Sequence, residues 1–159
     1  MRIFEIINED WVPDLLRDFL AKYELHISEK YEYLGEGRHR RGYGNDHIVI
    51  KLPITADGMA ANEREYKLYK KQVDHVQKSK DKEYLKNMGL TPADPEDEDI
   101  TKYAKCRLKY VDNIPILIME KLDTSIKWKN LLPRWTMYVD SSQVGYDKKG
   151  KIKAYDFGE

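Results

Sequence analysis

The chain has 159 residues, enough for one ordinary core and too few for two large domains. Lys and Arg together number 28, as do Asp and Glu, so the formal net charge is +0 and the basic excess that general nucleic-acid binding needs is missing. Charged residues make up 35%, mean hydropathy is -0.76, and no stretch approaches the roughly 18 apolar residues of a membrane span. A single cysteine, Cys106, excludes an internal disulfide and suits a reducing compartment. The first ten residues are too acidic, and their apolar run too short, for a signal peptide. The expectation is a soluble, cytoplasmic protein with neither a membrane nor a nucleic acid as partner.

Residues 11 to 23 carry the period of an amphipathic helix. Trp11, Leu15, Phe19 and Tyr23 recur every four positions, with Val12, Leu16 and Leu20 beside them. Asp10 suits the N-cap, and Pro13 then falls in the tolerated first turn. Such a helix either packs on a core or offers its stripe to a partner. Tyr31 to Leu34 read as a strand, and four glycines lie within the ten residues from Gly35 to Gly44. Glycine at that density demands turns and close backbone approach. His47 to Leu52 then form an apolar strand with one lysine. Val49 and Lys51 share one face of it, Ile48 and Ile50 the other. A lysine there is either an edge guard or a functional group.

Pro53 ends that strand, and Asp57-Gly58 opens a helix predicted from Met59 to about Met88, with Glu65 in its first two turns. The polar run from Gln77 to Glu83 is either a solvated face or a break between two helices. Thr91 to Asp99 form an acidic, proline-containing loop without the glycine and alternate spacing of a calcium loop. Cys106 to Tyr110 and Ile114 to Met119 make a hairpin through Val111-Asp112-Asn113, and its second strand is apolar enough for burial on both faces. Cys106 reads as a buried apolar thiol. Ser125 to Leu132 predict a short helix stopped by Pro133. A last hairpin follows, from Gln143 to Tyr146, through the turn Asp147 to Gly150, and back along Lys151 to Tyr155. It runs into Asp156-Phe157-Gly158, an acid at a strand end before a bulky anchor and a flexible glycine, a pattern that can serve a metal.

These parts stand in a recognisable order. A strand and glycine-rich loop at Leu34-Gly35-Glu36-Gly37 precede a strand with Val49-Ile50-Lys51. A helix with Glu65 follows, then a hairpin ending Ile118-Met119-Glu120, then a hairpin ending in Asp156-Phe157-Gly158. From Tyr31 onward the chain resembles the protein kinase fold, and within it the compact kinase-like proteins of bacteria and their phages. The resemblance implies an α+β fold: a kinase-like amino-terminal lobe, an antiparallel sheet plus a helix, with a truncated, vestigial second lobe. It implies a helical extension over residues 1–30 and a kinase-like domain over 31–159.

The same resemblance implies an ATP–Mg²⁺ site. Gly35 and Gly37 would let backbone N–H groups approach the triphosphate. Lys51 would reach the phosphates, oriented by an ion pair with Glu65, as a donor of charge and not a base. Val49 would cover the adenine, Met119 would close the back of its pocket, and Glu120 to Leu122 would offer hinge backbone groups to its edge. Asp156 would bind the metal.

Two departures from the kinase pattern bear on catalysis. Gln143 stands where the family has a metal-binding Asn; its carbonyl oxygen could still ligate, one methylene further out. Tyr138 stands where the family has its catalytic Asp, and Asp140 is then the candidate base of a shortened loop, or a carboxylate behind the metal. Arg38-His39-Arg40-Arg41 replace the usual aromatic tip of the glycine-rich loop, either as a solvated hairpin tip or as a cationic clamp on phosphate or on an acidic partner. Two functions follow, beside the third possibility of a fold remnant that binds no nucleotide. One is a minimal kinase-like protein that binds ATP–Mg²⁺ with weak or absent phosphoryl transfer to protein hydroxyls. The other is a non-catalytic pseudokinase or effector module, phage-encoded and acting in the bacterial cytoplasm by binding a host protein. Leu131, Trp135 and Tyr138 would be poorly covered by so small a second lobe, which suits a homodimer.

Overall fold

The computed structural model describes residues 12–80, 87, 102–125 and 143–156. The described residues fall into two compact units. The first holds 12–66 and 105–121, the second 67–80, 102–104, 122–125 and 143–156.

The first unit opens on helix. α1, Val12–Phe19, passes through one π turn, Leu20–Glu24, into α2, Leu25–Lys30. The periodicity predicted an end near Tyr23, but no glycine or proline interrupts the chain there, and Ile27 continues the buried stripe of Leu16 and Phe19. The helix stops where Tyr31 turns extended and its N–H closes on the Ile27 carbonyl at 2.8 Å. Phe19 and Tyr23 stack with ring centroids 5.1 Å apart. Trp11 and Asp10 lie outside the described residues.

Five strands follow: β1 (Glu32–Glu36), β2 (Arg40–Gly44), β3 (Ile48–Pro53), β4 (Cys106–Val111) and β5 (Ile114–Glu120). They form one sheet in the order β1-β2-β3-β5-β4, and every pairing in it is antiparallel. The fold class is therefore α+β, an antiparallel sheet plus helices. Gly35, at φ 147°, sits at the irregular register between β1 and β2, a backbone conformation that side chains disfavour. The β4–β5 connection is the pair Asp112-Asn113, at φ 49° and 67°, which suits the twist of a two-residue hairpin. β5 is buried along Ile114 to Leu117, as its unbroken apolar run predicted.

Between β3 and β4 comes α3, Ala56–Lys80. It begins slightly before the predicted start because Thr55 caps it: the Thr55 hydroxyl accepts the Gly58 N–H at 3.1 Å. Gly58 has to be glycine, since a Cβ there would stand 2.1 Å from the His39 carbonyl oxygen. The start of the polar run remains helical to Lys80; residues 81–86 lie outside the described ones. The core joins Leu16, Phe19 and Ile27 of the N-terminal helices to Tyr43, Ile50, Leu52, Met59, Ile114 and Ile116. Each large side chain so buried stabilises the fold by about 1.5–3 kcal/mol.

Among the described residues of the second unit is the hairpin β6 (Val144–Tyr146) against β7 (Ile152–Ala154). Its turn is the predicted one. The Asp147 carboxylate accepts the N–H groups of Lys149 and Lys151 at 2.8 and 2.9 Å and pairs with the Lys153 ammonium at 3.0 Å. Burial works against that charge, but the Lys151 N–H, the Lys153 ammonium and the Lys149 N–H outweigh it and hold the carboxyl below its usual range. The segment at Lys102–Ala104 extends this hairpin through Ala104 N–H to the Ala154 carbonyl at 2.8 Å and Ala154 N–H to the Lys102 carbonyl at 2.7 Å. The helix predicted from Ser125 to Leu132 and the acidic loop at 91–99 lie outside the described residues. Among the described residues no helix is long and apolar enough to cross a membrane.

Asn62 ties α3 to three strands. Its amide donates to the carbonyls of Lys51 on β3 and Pro115 on β5, both at 3.0 Å, and its oxygen accepts from Arg40 on β2 at 3.2 Å. The side chain is 0% exposed, so water replaces none of these bonds. We expect Asn62→Ala to lower unfolding free energy in urea by about 2–4 kcal/mol, because two carbonyls and a guanidinium lose a partner. A loss under about 0.5 kcal/mol would show that the three bonds contribute nothing.

Candidate functional site

The site begins with a conflict between strand and charge. β3 is an apolar strand whose Ile50 and Leu52 face the core. The period of two turns Lys51 to the other face, beside Val49. Its ammonium meets Glu65 of α3, at 3.0 Å from Oε2 and 3.3 Å from Oε1. Asn62 and Glu65 are three residues apart on α3, so they share a helix face. The spacing of strand, cap and helix thus brings together the lysine and the glutamate that the kinase resemblance pairs.

Glu65 is 0% exposed and has a second cation. The Arg40 guanidinium reaches Oε1 at 2.7 Å and is itself 7% exposed, against 12% for Lys51. A buried carboxylate carries a desolvation cost of several kcal/mol, which only close, well-oriented cations offset. Arg40 is the residue that reading the sequence missed. The Arg38–Arg41 run was expected either as a solvated tip or as a clamp on phosphate or an acidic partner. Arg40 is neither, because it is buried against Glu65. Arg41 turns to Glu24 of the π turn at 2.9 Å and to Glu36 at 3.1 Å. His39 Nδ1 lies 2.9 Å from the Thr55 hydroxyl, and Arg38 is exposed. The available signal was alternation: with β2 running Arg40–Gly44, Arg40 shares a face with Gly42, which stands opposite Lys51.

The other candidates fall as follows. Gly35 and Gly37 lie in the β1–β2 hairpin, where the Gly37 N–H closes the turn on the Arg40 carbonyl at 2.9 Å. That N–H serves the hairpin in this structure. Val49 and Met119 are cross-strand partners on β3 and β5, half-buried and buried. At the end of β5 the Glu120 N–H donates to the Lys105 carbonyl at 2.8 Å and the Lys121 N–H to the His47 carbonyl at 2.9 Å. Two of the backbone donors expected at a hinge are thus engaged within the first unit. Leu122 is buried in the second unit.

Gln143 and Asp156 come to the same end of the β6–β7 hairpin. Val144 pairs with Ala154, and the Tyr155 N–H donates to the Gln143 carbonyl at 3.1 Å, one residue before Asp156. Among the described residues no group of three or more His, Cys, Asp or Glu side chains converges as a metal site. Burial, followed by the charge of Asp156, pushes the Tyr155 hydroxyl up. Asp140, Tyr138, Leu131, Trp135, Phe157 and Gly158 lie outside the described residues.

The N-terminal helices hold the β1–β2 hairpin through Glu24. The Tyr43 hydroxyl donates to Glu24 Oε1 at 2.7 Å, and burial, then that bond, pushes it up to about 12. Cys106, on β4 opposite Met119, is also pushed up to about 12, first by burial and then by the charges of Glu65 and Glu120, against the opposing pull of Lys51.

No protein-family model and no curated protein sequence matches this chain. Among solved structures it is similar to one described as the streptomycin-ATP-APH(2")-IIa ternary complex, at 17% identity and a TM-score of 0.35. That likeness covers 82% of this chain and 35% of the other, so the chain spans about a third of that structure's length. At such a TM-score it carries no weight for fold or function.

Cys106 supplies a direct check on the burial of this region. A thiol with its pKa near 12 is protonated at pH 8 and a poor nucleophile. We expect no reaction with a small disulfide reagent at pH 8 in native buffer, and one thiol per chain in denaturant. Prompt labelling of the native protein would show that β4 is not closed over it.

Proposed function

We propose that this chain is a kinase-like protein that binds ATP with Mg²⁺. The observation that supports it most is the buried Lys51–Glu65 pair. It is built from the strand after a glycine-rich hairpin and from the helix that follows, at 3.0 Å and with the carboxylate 0% exposed. Orienting a cation at this cost has a purpose if its ammonium contacts an anion of fixed position, and a nucleotide triphosphate chain is one. Val49 and Met119 offer the apolar cover a purine needs, and Glu120 to Leu122 the backbone edge. Asp156 and Gln143 supply the oxygen donors for the metal, which when bound would neutralise charge on the phosphates. Each residue carries this role by the family resemblance.

Phosphoryl transfer follows as a weak activity or none. Transfer is mostly positioning and charge stabilisation, and this chain has Tyr138 at the position of the usual base and Gln143 at that of the metal-binding Asn. Asp140 is the candidate base of the enzyme reading. The same two departures favour the second reading, a nucleotide-holding module that acts by binding another protein.

The test is the melting temperature with and without millimolar ATP and Mg²⁺, for wild type, Lys51→Met and Asp156→Ala. Ligand at ~100 times its dissociation constant stabilises by about 2.7 kcal/mol, so the wild type is expected to shift and both variants to shift less. No wild-type shift overturns nucleotide binding, and equal shifts in all three move the site elsewhere. Labelled-phosphate transfer to itself and to a mixed lysate separates the two readings. Transfer lost in both Asp140→Asn and Asp156→Ala supports the enzyme. Vigorous transfer in Asp140→Asn removes Asp140 as base.

A further inference from the structure

We infer that Arg40 is a positioning residue: a standing second cation on Glu65 that keeps the carboxylate and α3 in place when the Lys51 ammonium turns to an anionic ligand. The inference rests on the phosphate-contacting role proposed for Lys51, and adds the residue that makes that role affordable. Three observations carry it. Arg40 binds Oε1 at 2.7 Å, while Lys51 lies closest to Oε2 at 3.0 Å and further from Oε1 at 3.3 Å, so Oε1 keeps its nearer partner when the lysine moves. Arg40 has its own anchor, because its guanidinium also donates to Asn62 Oδ1 at 3.2 Å. Asn62 is fixed in turn by the carbonyls of Lys51 and Pro115, which are backbone atoms and do not depend on the lysine side chain. Arg40 is also the more enclosed of the two, at 7% against 12%.

The chemistry of the two side chains fits the division. A planar guanidinium makes several oriented bonds at once and holds a geometry; an ammonium on a flexible stem is a point charge that can swing. If Lys51 were the only cation on Glu65, each swing toward a phosphate would leave a fully buried carboxylate without compensation, and binding would be weakened by that penalty. With Arg40 in place the carboxylate keeps a partner. Glu65 then aims the lysine without depending on it, and α3 holds its place with or without nucleotide.

The test is a set of substitutions in the full chain: Arg40→Met, Arg40→Lys, Lys51→Met, the double variant Arg40→Met/Lys51→Met, and Arg40→Met in a Glu65→Gln background. Urea unfolding without nucleotide reads the hold on Glu65. The double variant is expected to lose about tenfold or more in folding equilibrium beyond the product of the single losses, because only it removes both cations. The loss caused by Arg40→Met should shrink when Glu65 is a neutral glutamine. Calorimetric titration with MgATP reads positioning. Arg40→Met should weaken binding about tenfold although Arg40 lies behind Glu65, and Arg40→Lys should restore most of it. Independent losses for Arg40 and Lys51 overturn the inference, as does an Arg40→Met loss unchanged by Glu65→Gln. Coupled losses with unaltered MgATP affinity overturn the positioning role. A wild type that binds no MgATP while the losses stay coupled overturns the nucleotide reading and supports the shared hold on Glu65. If Arg40→Met does not fold, Arg40→Lys and the Glu65→Gln background still give both comparisons.

Discussion

A carboxylate with no access to water has to be held from all sides, and the first unit is arranged around that requirement. Glu65 is 0% exposed on α3, and β2 and β3 each deliver one cation to it. Removing one partner of a buried pair costs about 3–5 kcal/mol, more than most single side chains in the apolar core contribute. The surface pairs are of another kind. Arg17 with Asp14, and Lys70 with Asp74, are more than half exposed and contribute at most about 1 kcal/mol. Among the described residues charge is therefore most fully enclosed where α3 faces the sheet, at Glu65 with Arg40 and Lys51.

β2 is the strand on which two such attachments meet. Arg40 and Arg41 are neighbours, so their side chains leave opposite faces of the strand. Arg40 goes to Glu65 of α3, and Arg41 goes to Glu24 of the π turn between α1 and α2. Tyr43 reinforces the second attachment with its own bond to Glu24. A glycine-rich hairpin would ordinarily be loose, since glycine has the most conformational freedom to lose. Here charged bonds from two helices restrain it, and the Gly37 N–H closes its tip. The hairpin is consequently held on both of its faces by bonds to helices and at its tip by its own backbone.

The Tyr43 attachment carries a pH dependence with a definite sign. Its hydroxyl is pushed up to about 12 in the fold, above the ordinary tyrosine value of 10.0. The stabilisation is complete below pH 10 and is lost as pH rises toward 12, because the unfolded chain gives up that proton first. Asp147 in the second unit behaves in the opposite sense. Its carboxyl is held below 3.8, so its contribution is present at neutral pH and is lost under acid. The Tyr43 and Asp147 contributions are therefore lost at opposite ends of the pH range.

Local pattern was enough for most of the secondary structure. Alternation placed the strand around Lys51, and turn chemistry placed Asp112-Asn113 and Asp147 to Gly150. Those features depend on residues within a turn or two of each other. What the tertiary structure decided depends on distance in sequence. The N-terminal helix runs to Lys30 because Ile27 finds the sheet's core, a partner that periodicity over residues 11 to 23 could not register. Arg40 reads as part of a basic, solvated run until the β2–β3 register sets Gly42 against Lys51 and α3 lowers Glu65 onto the same face. A charged residue announces its charge in the sequence; whether that charge meets water or a buried carboxylate is settled only by which strand lies beside it and which helix lies above.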